Sequence, residues 1–321
     1  MRVAVIGVGV IGHVHARILT MLGHDLVAVC DPDEKKTADF PNARRYADYR
    51  QMLCEVMPEA VHICTPHYLH AAMICEALKM NIHVLCEKPL CIRAEDIPRI
   101  LTAERTSQAQ LGICLQNRYN PSSLFARAFL ADKQNIRGGH ATVVWHRDAA
   151  YYASGDWRGK WATEGGGVLI NQALHTLDLL AWLLGDPQHV TACLSQTTLG
   201  GKIEVEDTAA CFFSGTCDYS LFATNSGATD FPVQLSVYAD GDMLTLTPNA
   251  VTVNGASQSL PEDTLPALGK VCYGASHTRL IADFYDCIGS GRRFAIGAVE
   301  GARSVKMVLA CYQSKGEKTD I

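Results

Sequence analysis

The sequence predicts an α/β protein. A doubly wound parallel sheet is expected over residues 1–120, followed over residues 121–321 by an α+β domain on a large, mostly antiparallel open sheet. Three observations carry this. Short apolar runs alternate with helix-period segments along the first 120 residues, the pattern of strand–helix–strand units. After Asn120-Pro121 the runs themselves alternate apolar and polar residues, as half-buried antiparallel strands do. The length of 321 residues also suits two domains better than one.

The elements follow in order. Residues 3–6 read as a strand and 11–22 as a helix. Strands at 26–30, 60–64, 83–86 and 111–115 continue the series, with helices at 67–79 and 94–106. Their blocks are short and almost wholly apolar, as burial on both faces requires. In the second half, a helix at 123–130 leads into strands at 141–146, 190–196, 208–214, 218–224, 233–239 and 243–247. A helix launched by Gly165-Gly166-Gly167 runs to Leu184, where Gly185 and Pro187 stop it. Helices at 276–288 and 299–312 close the chain.

Composition excludes several function classes. Apolar residues make up 48% and charged residues 19%, which suits a sizeable core and not a disordered chain. With 33 acidic against 28 basic residues the formal charge is −5, and no Lys/Arg block is present, which argues against nucleic acid. No apolar run approaches the ~20 residues of a membrane span. Gly7 interrupts the N-terminal apolar stretch too early for a signal-peptide core, so a cytoplasmic protein is expected. The 13 cysteines, Cys272 among them, show no CxxC pair and no repeating spacing. Reduced thiols are therefore expected, without a disulfide framework. The pairs His13/His15 and His67/His70 lack a third donor at ligand spacing, so no metal is expected.

Gly7-Val8-Gly9-Val10-Ile11-Gly12 fits G-x-G-x-x-G in the right context, after the first strand and opening the first helix. The first glycine permits a tight turn and the second lets backbone approach a diphosphate. The third allows close helix–strand packing, and the helix N-terminus attracts the anion. Asp31 closes the second strand, where a carboxylate accepts the ribose hydroxyls of NAD and repels a 2′-phosphate. NAD is expected over NADP, although Arg44 and Arg45 could serve a phosphate.

Cys86-Glu87-Lys88-Pro89 sits just past a strand, where ligands gather in an open α/β sheet. A partly desolvated lysine beside bound NAD⁺ has a lowered pKa, which suits proton transfer or carbonyl polarisation. On the glycine-launched helix, Asn171, His175 and Asp178 fall at i, i+4 and i+7, which an α-helix places on one face. A polar stripe on an otherwise apolar helix needs partners, and a substrate cleft would supply them.

These features together resemble the glucose–fructose oxidoreductase/inositol dehydrogenase/rhizopine catabolism family. The resemblance covers essentially the whole chain. It rests on Gly7 to Gly12 with Asp31, on Thr65-Pro66-His67-Tyr68-Leu69-His70, and on Glu87-Lys88-Pro89. Gln116-Asn117-Arg118-Tyr119-Asn120-Pro121, Trp157-Arg158-Gly159 and the Gly165 to Asp178 segment complete it. It implies a Rossmann domain, then a domain whose open sheet often serves oligomerisation, so a homodimer or homotetramer is expected. It also implies NAD(P)-dependent redox at a secondary hydroxyl of a sugar, sugar derivative or cyclitol.

Carried over by residue, the resemblance puts Gly7, Gly9, Val10, Ile11, Gly12, Asp31, Thr65, Pro66, His67, His70, Glu87, Lys88 and Gln116 at the cofactor. Lys88 matches the family's active-site lysine and His175 its active-site histidine. Asn171 stands where inositol dehydrogenases carry Asp; its amide can orient a hydroxyl but brings no charge to an imidazolium. The Asn-Gln form is more similar to the branch of nucleotide-sugar 3-dehydrogenases, whose members act on varied saccharides. Arg118, Tyr119, Asn120, Tyr152, Trp157 and Arg158 are candidate substrate contacts beside Lys88, Asn171 and His175. Arginine can grip an anion, and an aromatic face can stack on a sugar ring. The residues leave open whether Lys88 or His175 is the base. A non-catalytic NAD/sugar-sensing regulator and an NAD-dependent glycosidase, both found in this family, are the alternatives to a dehydrogenase.

Overall fold

Six parallel strands form the first sheet: β1 (Arg2–Ile6), β2 (Asp25–Cys30), β3 (Arg44–Tyr46), β4 (Ala60–Ile63), β5 (His83–Cys86) and β6 (Leu111–Ile113). Their order is β3-β2-β1-β4-β5-β6, so strand order reverses between β1 and β4, where such sheets bind ligands. Val3 pairs with Ala60 and Ile63 with Cys86. Val3, Ala4, Val5, Val61 and Val84 are fully buried, because helices such as Val10–Met21 and His70–Lys79 pack against the sheet.

A second, nine-stranded sheet comprises β7 (Ile136–Val144), β8 (Pro187–Ser195), β9 (Thr208–Gly215), β10 (Tyr219–Thr224), β11 (Gln234–Ala239), β12 (Asp242–Thr247), β13 (Ala250–Val253), β14 (Ala256–Ser257) and β15 (Thr319–Asp320). Its order is β14-β13-β12-β11-β7-β10-β9-β8-β15, and only β7 and β10 pair in parallel. Helix Leu174–Leu184 packs on β7, and all its residues are buried except Trp182. That explains why its sequence is apolar all round. The alternation along β9 and β10 sends Cys211 and Leu221 inward and leaves Phe212 and Phe222 51% and 43% exposed on the other face.

The computed structural model describes residues 1–262, 265–268 and 274–321. They separate into two units. One holds Met1–Leu115, residues 265–268 and His277–Ala302; the other holds residues 116–262, 274–276 and Arg303–Ile321. A cut at residue 120 would assign His277–Ala302 to the second half, whereas its packing is with the first.

Some elements carry little sequence signal. β3 is Arg-Arg-Tyr, an edge strand with no apolar run. Helix Tyr49–Val56 is announced by its cap, Asp48, whose carboxylate accepts the Arg50 and Gln51 N–H groups at 2.7 and 3.0 Å. The segment at 67–79 is a 3₁₀ turn, His67–Leu69, followed by helix His70–Lys79. No disulfide joins the described cysteines; Cys272 lies outside the described residues. Among the described residues no helix is long and apolar enough to cross a membrane.

Candidate active site

The three glycines after β1 answer different constraints. Gly7 has φ +82°, and a Cβ there would lie 2.7 Å from the Cys64 carbonyl oxygen. At Gly12 a Cβ would meet the Gly7 carbonyl oxygen at 2.0 Å, because helix and strand are pressed together. At Gly9 a Cβ would meet nothing within 4 Å. The loop thus keeps open space above it. No side chain caps the helix that follows, and its first residue, Val10, is 85% exposed while Ile11 is half-buried. An accessible helix N-terminus beneath open backbone fits a diphosphate.

Asp31 follows β2 and is 7% exposed. Its Oδ2 accepts the Val8 N–H at 3.1 Å and its Oδ1 the Asp33 N–H at 3.0 Å, so the carboxylate is fixed beside the glycine loop. The cation near it is Lys36, whose Nζ is 3.7 Å from Oδ1. Arg44 is instead paired with Glu55 at 2.9 Å, and Arg45 is exposed.

Lys88 is half-buried just beyond the end of β5, and its peptide bond to Pro89 is cis. Two of its expected cofactor neighbours have other work. The His70 ring nitrogens stand 2.7 Å from the Pro89 carbonyl oxygen and 2.9 Å from that of Thr65. The ring therefore ties the loops after β4 and β5 together, with both polar atoms engaged by backbone. The Thr65 hydroxyl donates to Met73 Sδ at 3.5 Å. Pro66 precedes the 3₁₀ turn, and His67 is buried.

Glu87, also expected at the cofactor, is engaged by protein partners. It is buried, with His15 Nε2 3.0 Å and His277 Nε2 3.4 Å from Oε1. Burial pushes its carboxyl up, but the hydrogen bonds from His15 and His277 outweigh this and hold it well below the usual range. Burial lowers His15 and His62, so both rings are neutral near pH 7, and it keeps the Tyr285 phenol protonated. One direction then satisfies the chain: Tyr285 O–H donates to His62 Nε2 (2.9 Å), His62 Nδ1–H to His15 Nδ1 (2.8 Å), and His15 Nε2–H to Glu87. The Glu87 side chain thus ties its loop to His15 and His277. Spatially, Cys114 joins His15 and Glu87, their donor atoms lying within 4.8 Å of one another, a neighbour that sequence spacing did not reveal.

In the second unit, the 3₁₀ turn Gln116–Tyr119 places Gln116 Nε2 3.3 Å from His175 Nε2. Gln116, expected at the cofactor, is thus a neighbour of the histidine. Arg118, expected to grip substrate, is already held: its Nε and Nη2 donate to Asp178 at 2.7 and 2.6 Å, with both side chains buried. Tyr119 is half-buried, and Asn120 is buried at the start of helix Pro121–Ala131.

The glycine-launched segment is not a uniform α-helix. A π turn, Leu169–Ala173, precedes helix Leu174–Leu184, so the α-helical period that aligned Asn171 with His175 and Asp178 does not hold there. The Asn171 amide donates to the fully buried Glu164 and lies 3.4 Å from the Tyr151 hydroxyl. Glu206 supplies the helix start. Its carboxylate accepts the Gly167 and Leu169 N–H groups at 2.9 and 3.0 Å and the Tyr312 O–H at 3.1 Å, and its carbonyl accepts Val168 N–H at 3.2 Å. Burial pushes this carboxyl up to about 7.

Tyr152, expected at the substrate, is buried in the structure. It packs with Leu199, Ile203 and Val205, and its hydroxyl accepts from Asn225 at 2.9 Å. It is a core residue. Its neighbour Tyr151 is the one that meets Asn171, Gln172 and Arg158. Both lie on the one-turn helix Ala149–Ala153, and adjacent identical residues carry no signal of which turns inward. The Arg158 guanidinium is 4.5 Å from the ring centres of Tyr151 and Trp157.

Comparison with known proteins extends this geometry. The model of an oxidoreductase family with an NAD-binding Rossmann fold matches residues 1–114, and that of the GFO/IDH/MocA C-terminal domain matches residues 135–244. The chain is 26% identical to a myo-inositol 2-dehydrogenase of Thermotoga maritima over 196 residues, covering 58% of this chain and 55% of that one. It is 31% identical to a D-glucoside 3-dehydrogenase of Escherichia coli over 203 residues, again covering 58% and 55%. The chain spans about half the length of the curated relatives it matches. A solved structure, the WlbA dehydrogenase of Chromobacterium violaceum in complex with NADH and UDP-GlcNAcA, superposes with a TM-score of 0.86 at 25% identity, covering 100% of this chain and 96% of that one. The chain therefore belongs to the GFO/IDH/MocA oxidoreductase family, and its first unit is that family's NAD-binding Rossmann fold.

Proposed function

We propose that this protein is an NAD-dependent dehydrogenase acting on a secondary hydroxyl of a sugar, sugar derivative or cyclitol. The observation that carries the reading lies within the first unit. The open glycine loop after β1 and the half-buried Lys88 after β5 both sit at the carboxyl ends of strands in one parallel sheet. The relatives named as inositol and glucoside dehydrogenases support the substrate class.

NAD, when bound, supplies the hydride acceptor or donor. Gly7, Gly9 and Gly12 with the helix N-terminus hold its diphosphate, and Asp31 its adenosine ribose. His175 takes the hydroxyl proton of the substrate, with its ring oriented by Gln116. Lys88, which matches the family's active-site lysine, offers Nζ as a donor to a hydroxyl oxygen and as a proton relay. Asn171, itself oriented by Glu164, positions the hydroxyl.

A panel of neutral sugars, cyclitols and nucleotide sugars, scored by NADH formation, tests the activity. Lys88→Ala should lower kcat by about 10²-fold or more, the scale of a lost proton-transfer group, with NAD affinity nearly unchanged. Near-normal turnover in that variant would return Lys88 to an ordinary loop lysine.

A further inference from the structure

Arg158 is half-buried, and among the described residues no carboxylate lies within ion-pair distance of it. Three other arginines of the same unit are neutralised: Arg118 by Asp178, Arg147 by Asp230 at 2.8 Å and Arg303 by Asp186 at 2.6 Å, while Arg127 donates to the Trp182 carbonyl. Yet Arg158 is held firmly. Its Nη1 donates to the Tyr151 hydroxyl at 2.6 Å, and its central carbon lies 4.5 Å from the ring centres of Tyr151 and Trp157. Stacking orients a guanidinium without neutralising it.

The Tyr151 hydroxyl gives a second, independent observation. Its oxygen receives Arg158 at 2.6 Å and Gln172 Nε2 at 3.2 Å, with Asn171 Nδ2 at 3.4 Å. Burial raises the phenol pKa, so the hydroxyl keeps its hydrogen at neutral pH. With both lone pairs facing donors, that hydrogen must be donated, and no described residue accepts it. The buried Glu164 carboxylate is occupied by the Gly159 N–H and the Asn171 amide. A fixed cation and a donor hydroxyl, 2.6 Å apart, thus both call for an acceptor that bears negative charge.

We propose that Arg158 and Tyr151 form an anion subsite, and that the saccharide substrate carries a carboxylate or phosphate group bound there. This rests on the reading that Asn171 contacts substrate, because Tyr151 adjoins Asn171. Charge-assisted bonds from a preoriented guanidinium discriminate by charge in a way that ring stacking does not.

Calorimetric titration of the full chain in saturating NAD⁺ tests it with three probes: methyl β-D-glucoside, methyl β-D-glucuronide and glucose 1-phosphate. At least one anionic probe should bind roughly tenfold or more tighter than the neutral one. The glucuronide and phosphate arms tell a carboxylate from a phosphate ligand. Arg158→Gln should abolish the preference and Tyr151→Phe should reduce it, the anionic probe losing more affinity than the neutral one in both. Equal binding of neutral and anionic probes, a preference that survives Arg158→Gln, or no binding of either anion would overturn the proposal. NADH formation reads the dehydrogenase assignment separately. An anion bound tightly without turnover removes that assignment and keeps the subsite; efficient turnover of the neutral glucoside alone does the reverse.

Discussion

A carboxylate that accepts a backbone N–H of the glycine loop, as Asp31 does from Val8 at 3.1 Å, is rigidly placed and resists the approach of a second negative charge. A 2′-phosphate would meet it directly, while ribose hydroxyls would donate to it. Lys36, 3.7 Å away, offsets part of that repulsion but is itself half-exposed and screened. NAD(H) should therefore bind roughly tenfold or more tightly than NADP(H), and Asp31→Ser should narrow the gap. Fluorescence titration of both cofactors decides it; equal affinities in the wild type would make Lys36 the determinant. At this scale the sequence places Asp31 at the end of β2 and Lys88 just past β5, as the structure does. It was unreadable where the choice depends on distant partners: Arg118 is spent on Asp178, sixty residues away along the chain, and Tyr152 points into the core while Tyr151 does not.

The glycine-launched helix shows how one element depends on others. Gly167 must be glycine because a Cβ would lie 1.8 Å from the Glu206 carbonyl oxygen, and Glu206 in turn accepts the first free N–H groups of the segment. Burial raises the Glu206 carboxyl from 4.5 to about 7. Between those values the folded protein holds a proton that the unfolded chain has released. Stability from this group is therefore full below pH 4.5, falls as pH rises to about 7, and is flat above it. The loss is on the order of 3 kcal/mol. Denaturant unfolding at pH 5 and pH 8 should show this slope in the wild type and lose it in Glu206→Gln. The same slope in both proteins would assign it to other groups; the buried histidines, whose pKa values burial lowers, would give a slope of the opposite sign. The helix was legible from its apolar run and its Gly185 stop. The π turn was not: Glu206 and Glu164, which hydrogen-bond the segment, lie outside it in the sequence.

On the whole-molecule scale, the nine-stranded sheet leaves one face uncovered by any described helix of its own unit, and Phe212 and Phe222 lie half-exposed there beside His140, Thr142 and Ser220. Exposed aromatic pairs on a broad sheet favour burial against a like surface. We expect a homo-oligomer through this face. Phe212→Asp combined with Phe222→Asp should lower the sedimentation coefficient to that of a monomer while far-ultraviolet dichroism is retained. A wild type that already sediments as a monomer would refute this.

By itself the sequence determined the two sheets and their kinds, because burial on two faces or one writes directly into runs or alternation of apolar residues. It also determined the cofactor loop, because tight turns and close approaches admit only glycine at set spacings. Only the tertiary structure decided which polar residues remain available for chemistry. Glu87, His70, Arg118 and Tyr152 are each engaged by protein partners. Those partners are brought together by packing, and hydrogen-bond saturation inside a core depends on contacts far apart in the chain, which no local pattern records.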